Sequence, residues 1–130
     1  MPLTKLPNAF RGEENAQPVD SWPWIWNELK ELGYKTMYIE DMPDIGTFQY
    51  RMMGFNKQPT NFYGRNFYLL LKQLGIQRFS KSYPEGICLG GRKTYSILLD
   101  YIREFIQLNG DPVFHFSISD ELTHNDNSLV

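Results

Sequence analysis

Hydrophobic positions along the chain switch between two periods, and the switching sets the expected elements. Ile25, Leu29 and Leu32 recur at helical spacing, and Gly33 stops the run. Asp20 and Ser21 are the expected caps of this helix, which should begin near Trp22 or Pro23, because proline is tolerated in a first turn. Lys35 to Ile39 then changes to period two, with Met37 and Ile39 on one face and Thr36 and Tyr38 on the other. A loop from Glu40 to Gly46 follows, and a polar stretch marked by Gly and Pro continues to about Asn61. Phe67, Leu70, Leu71 and Leu74 outline a second helix closed by Gly75.

After a loop with Pro84, Gly86, Gly90 and Gly91 comes the longest expected helix, about Lys93 to Leu108. Its apolar stripe is Ile97, Leu98, Tyr101, Ile102, Phe105 and Ile106, and Asn109-Gly110 ends it. Pro112 opens a strand from Val113 to Ser119, with Phe114, Phe116 and Ile118 on one face. Residues 1–20 carry Pro2, Pro7, Gly12 and Pro18 with little periodicity and read as an irregular lead-in.

Strands separated by helices predict an α/β fold, with helices packed on a mostly parallel sheet. No repeat, low-complexity tract or internal boundary divides residues 1–130. Two strands alone do not make a stable doubly covered sheet. The expectation is therefore a partial domain that draws neighbours from outside this segment.

Charge narrows the function classes. The formal net charge is −2, and basic residues are scattered rather than blocked, which argues against a nucleic-acid binder. No apolar run is long enough to cross a bilayer. Residues 1–17 lack the apolar core of a signal peptide. Cys88 is the single cysteine, so it is free or its partner lies outside this chain.

The densest cluster of ligand-type residues is Ser119-Asp120-Glu121-Leu122-Thr123-His124-Asn125-Asp126, directly after the last strand. Open α/β sheets bind ligands beyond the carboxyl ends of their strands. Asp120 and His124, four apart, could share one divalent metal; a hard oxygen with a borderline nitrogen suits zinc or manganese. Asp126 could orient the imidazole. The other reading makes Asp120 a helix cap in a solvated tail.

Glu40-Asp41 ends the first strand on the same sheet edge if the strands are parallel; the pair could face a cation or cap the next turn. His115 lies within the last strand and reads as a packed or hydrogen-bonded core residue. The aromatic-rich middle, Tyr34 to Tyr68, reads chiefly as core packing, with a sugar- or lipid-facing surface as the alternative. Gly90-Gly91-Arg92-Lys93 could hold an anion at a helix start or serve only as a turn.

Several blocks in order carry a family resemblance. They are Pro23-Trp24-Ile25-Trp26, Gly33-Tyr34-Lys35-Thr36, Glu40-Asp41-Met42-Pro43-Asp44-Ile45-Gly46-Thr47-Phe48, Gly54-Phe55-Asn56-Lys57-Gln58-Pro59-Thr60, Cys88-Leu89-Gly90-Gly91-Arg92, Leu98-Leu99-Asp100-Tyr101 and Leu122-Thr123-His124-Asn125-Asp126. The chain resembles the middle of the animal domain of unknown function 229 family, which is similar to sulfatases and the wider alkaline-phosphatase superfamily.

The resemblance implies a partial alkaline-phosphatase-like core and a metal site in which Asp120 and His124 are ligands. It implies hydrolysis of a small phosphate or sulfate ester, or a glycan substrate, in a complete parent. It also implies an extracellular or secretory-lumen location. The nucleophile would precede this segment and further ligands would follow Val130, so the chain is expected to be truncated at both ends and inactive alone. Three departures stand out. Glu40-Asp41-Met42-Pro43 replaces the Lys and His that contact sulfate in sulfatases. Asn125 stands where family members often have aspartate, and Trp22 where many have a cysteine that Cys88 could pair with. The alternative is a non-catalytic extracellular recognition or structural domain with the same fold.

Overall fold

The strand Lys35–Glu40 (β1) is the centre of the molecule, with five of its six residues buried. The computed structural model describes residues 5–74, 88–89 and 91–120. In chain order these form a 3-10 turn (Val19–Ser21), α1 (Ile25–Glu31), β1, β2 (Phe62–Tyr63), α2 (Arg65–Gln73), β3 (Cys88–Leu89), β4 (Arg92–Lys93), α3 (Thr94–Asn109) and β5 (Val113–Ile118). Among the described residues the main sheet has the order β2-β1-β5 and is parallel throughout; β3 and β4 pair as a short antiparallel ribbon. The α/β architecture with helices on a mostly parallel sheet is therefore present.

Register follows from period two. Lys35 stands opposite Val113 and Glu40 opposite Ile118, so β1 and β5 end side by side. On one face Met37 and Ile39 pack with Tyr68 and Leu71 of α2 and Leu98 and Phe105 of α3. Each such buried side chain contributes about 1.5–3 kcal/mol relative to exposure. On the other face Tyr38 stacks on Trp26 of α1 at 5.8 Å and contacts Phe116 and Tyr63 at 5.4 Å. Trp24 stacks on Trp26 at 4.5 Å and meets Phe48 and Phe55, which makes much of the aromatic middle core packing. The exceptions are Tyr50, Phe62 and Phe67, which are exposed.

Both faces of β1 are thus covered, which parallel strands require.

Several expectations need correction. The first helix starts at Ile25, and its N-cap, Trp24, makes no side-chain capping bond. Asp20 instead accepts the backbone N–H groups of Asn56 and Lys57, both at 2.8 Å, because the loop that ends in β2 folds back over the 3-10 turn. β2 is a third strand that hydrophobic period does not reveal. Its place is fixed by Asn61, whose side-chain oxygen accepts Thr36 N–H and Oγ1 at 2.9 and 3.0 Å. His115 is exposed rather than a core residue. It shares a face with Met37, but β5 is an edge strand among the described residues. In α2 the buried residues are Tyr68 and Leu71, whereas Phe67, Leu70 and Leu74 are exposed.

Gly64 joins β2 to α2. A Cβ there would come within 2.3 Å of Ile39 Cγ1, so only glycine lets the start of α2 lie against β1. Its N–H also donates to Tyr38 O at 2.9 Å, which extends the ladder by one bond.

Candidate functional site at the carboxyl edge of the sheet

Parallel pairing brings the ends of β2, β1 and β5 to one edge. Glu40, Asp41, Ser119 and Asp120 meet there. Asp41 is fully buried. Its carboxylate accepts Ser119 Oγ at 2.6 Å and the Asp120 backbone N–H at 2.8 Å. These charge-assisted bonds clamp the chain as it leaves β5. The Asp120 carboxylate is free of hydrogen bonds from described residues, and it is close enough to Glu40 for the two charges to interact.

Glu40 is 7% exposed. It accepts the Thr47 N–H at 3.1 Å and the Thr47 hydroxyl at 2.5 Å, which closes the 40–47 loop. Burial holds its carboxyl above the usual glutamate range; the Thr47 bonds and the nearby Tyr38 hydroxyl oppose that rise, and the charge of Asp120 adds to it. The Tyr38 hydroxyl is buried, interacts with Glu40, and has no other hydrogen-bond partner among the described residues. Burial first, and the Glu40 charge second, push its pKa well above the ordinary tyrosine value, so it is a weaker acid than a free tyrosine.

Four neighbours were not legible as site residues. Tyr63 ends β2, accepts Gln49 Nε2 at 2.8 Å, and is pushed up to about 12, mainly by burial. Arg65, the first residue of α2, donates to Pro43 O and acts electrostatically on both Tyr38 and Tyr63. Gly46 is close-packed: a Cβ there would lie 2.6 Å from both Gln49 Oε1 and Glu40 Oε2. Thr47 follows it. The one sequence signal for this group is the Gly46-Thr47 turn after the acidic pair.

The fit to a divalent cation can be judged from the donors. Asp120 offers an uncommitted carboxylate, and Glu40 offers a second acidic group whose desolvation a nearby cation would offset. Asp41 has both oxygens engaged by Ser119 and Asp120, so it supports the site rather than facing a cation. Among the described residues no group of three or more His, Cys, Asp or Glu side chains has metal-holding geometry. His124 and Asp126, together with Glu121, lie outside the described residues. Among the described residues, the donor this edge leaves for a cation is the Asp120 carboxylate, with Glu40 beside it.

The Gly90-to-Lys93 turn is a different case. Gly90 is outside the described residues, Arg92 is paired with Asp100, and Lys93 lies over the Tyr95 ring. Its cations are thus engaged within the chain. Among the described residues no helix is long and apolar enough to cross a membrane.

The family model for "Protein of unknown function (DUF229)" matches residues 4–130. The chain belongs to the DUF229 family. Neither the curated proteins nor the solved structures contain a match to it. For a DUF229 chain the acidic edge is thus a property of these residues and this topology.

Proposed function

We propose that this DUF229 chain supplies part of a metallohydrolase domain of the alkaline-phosphatase and sulfatase type, acting on phosphate or sulfate esters. The observation that carries the reading is the buried Asp41 carboxylate holding Asp120 at the carboxyl edge beside Glu40. Asp120 and His124 are the proposed ligands of zinc or manganese. Glu40 is the acidic neighbour whose negative form the cation would favour. Asp41 sets the position of Asp120, and Asp126 orients the histidine. When bound, the cation supplies charge stabilisation for the group being transferred. An extracellular or secretory-lumen location belongs to the same proposal.

One observation favours the alternative, a recognition or structural domain without chemistry. Both Asp41 oxygens, and the Thr47-facing oxygens of Glu40, are engaged in holding loops.

Melting temperature separates the two readings. A ligand that binds only the folded chain raises it with concentration. Zinc or manganese should raise it for the wild type and much less for Asp120→Asn. An unchanged melting temperature in the wild type at millimolar metal would favour the non-catalytic reading.

A further inference from the structure

Beside the acidic edge, at the end of β2, lies a second feature of opposite sign. It is a cleft of about 290 Å³ whose lining, among the described residues, includes Arg11, Lys57 and Arg65 and no Asp or Glu. None of the three cations forms an ion pair with a described residue. Gln49, Tyr63 and Asn66 add amide and hydroxyl groups to the same walls.

Each element has a reason to be there. Arg11 is anchored by Nε donating to Met52 O at 2.7 Å. Arg65 is anchored on Pro43 O. Each anchor uses only one of the five N–H donors of a guanidinium. The backbone of Lys57 is fixed by Asp20 at 2.8 Å, whereas no bond within the described chain takes up its ammonium. Asp20, the nearest acid to that backbone, is spent on the N–H groups of Asn56 and Lys57. Arg65 and Asn66 bring the start of α2 to the cleft wall, and its N-cap, Gly64, makes no side-chain capping bond.

We infer that this cleft is a binding site for a small oxyanion, either free or as the anionic end of a larger ligand, held by Arg65, Lys57 and Arg11. Glu40 lies near Arg65, yet none of the three cations is ion-paired with a described residue, and an anion in the cleft would offset their mutual repulsion. Planar guanidinium groups match the oxygens of phosphate, sulfate or carboxylate in pairs. The site does not depend on a metal: its donors are all side chains and amides of this chain. It complements the proposed hydrolase reading, because an ester anion held here would lie on the same sheet edge as Glu40.

The test is calorimetric titration of the full chain with inorganic phosphate and separately with acetate, in EDTA at low ionic strength. The expected result is saturable phosphate binding. Lys57→Gln and Arg65→Gln should each weaken it roughly tenfold, as expected for loss of one charge-assisted contact. Lys35→Gln, at the opposite end of β1, should leave it unchanged. Arg65 also braces Pro43, so Lys57→Gln, whose side chain makes no bond to a described residue, is the deciding variant. Tighter binding of acetate than phosphate would place a carboxylate in the site. No saturable binding of either anion, or equal weakening by Lys35→Gln, would overturn the inference. Phosphate binding seen only when EDTA is replaced by zinc would also overturn it while leaving the metal reading standing. Phosphate binding in EDTA by a chain that does not bind zinc would do the reverse.

Discussion

The carboxylate of Asp41, at the end of the central strand, accepts the backbone N–H of Asp120 at 2.8 Å, across 79 positions of sequence. With the Ser119 hydroxyl on its other oxygen, it ties the exit of β5 to the exit of β1. Removing a buried acceptor leaves two donors without partners, and each unsatisfied group costs about 1–3 kcal/mol. Asp41→Ala should therefore lower the unfolding free energy by roughly 2–6 kcal/mol. Asp41→Asn, which keeps one acceptor, should lose less. Denaturant unfolding measures both, and equal losses would show that the clamp is not the source of the effect.

Glu40 gives a pH signature. Its carboxyl is raised above the ordinary 4.5, first by burial. A raised acid binds its proton more tightly folded than unfolded. Its stabilising contribution is complete below the unfolded value and is lost as pH rises through the folded one. Glu40→Gln stays neutral throughout. The stability of this variant relative to wild type should accordingly grow between about pH 4 and pH 7. Unfolding curves across that range test it; a difference that stays flat or shrinks would contradict it.

Gly64 is a steric test of the link between β2 and α2. A methyl group there meets Ile39 at 2.3 Å, in a core with no room to yield. Gly64→Ala should cost about 1–3 kcal/mol as overpacking, and the double variant with Ile39→Val should recover part of it. Thermal unfolding of the two variants is the measurement.

Trp26 tests the aromatic layer. It is buried between Trp24 and Tyr38, yet its indole N–H has no hydrogen-bond partner. Trp26→Ala should cost roughly 3–5 kcal/mol. Trp26→Phe should cost much less, because no hydrogen bond is lost with the indole. Similar losses for the two would point to a polar role for the N–H.

Much of this fold is legible in the residues. The period-two run from Lys35 and the stop at Gly33, with φ +87°, place β1 and the end of α1. Phe114, Phe116 and Ile118 share a face, and Phe116 reaches Trp26 and Tyr38. Strand–helix alternation puts Glu40, Asp41 and Asp120 on one edge. β2 is not legible, because two residues have no period. Asn61 and Gly64 place it through tertiary contacts that only the fold provides. His115 shows the other limit: period two gives its face correctly but not the exposure of an edge strand. Arg65 and Gln49 join the site because β2 exists, so they share its invisibility in sequence.

The central claim is a divalent-cation site at the carboxyl edge, and calorimetric titration of the chain with zinc and with manganese tests it most directly. The account predicts saturable binding near one ion per chain, strongly weakened by Asp120→Asn and by His124→Ala, and weakened also by Asp41→Ala in chain that remains folded. Binding that is absent from the folded wild type, or that is unchanged in both Asp120→Asn and His124→Ala, would contradict it.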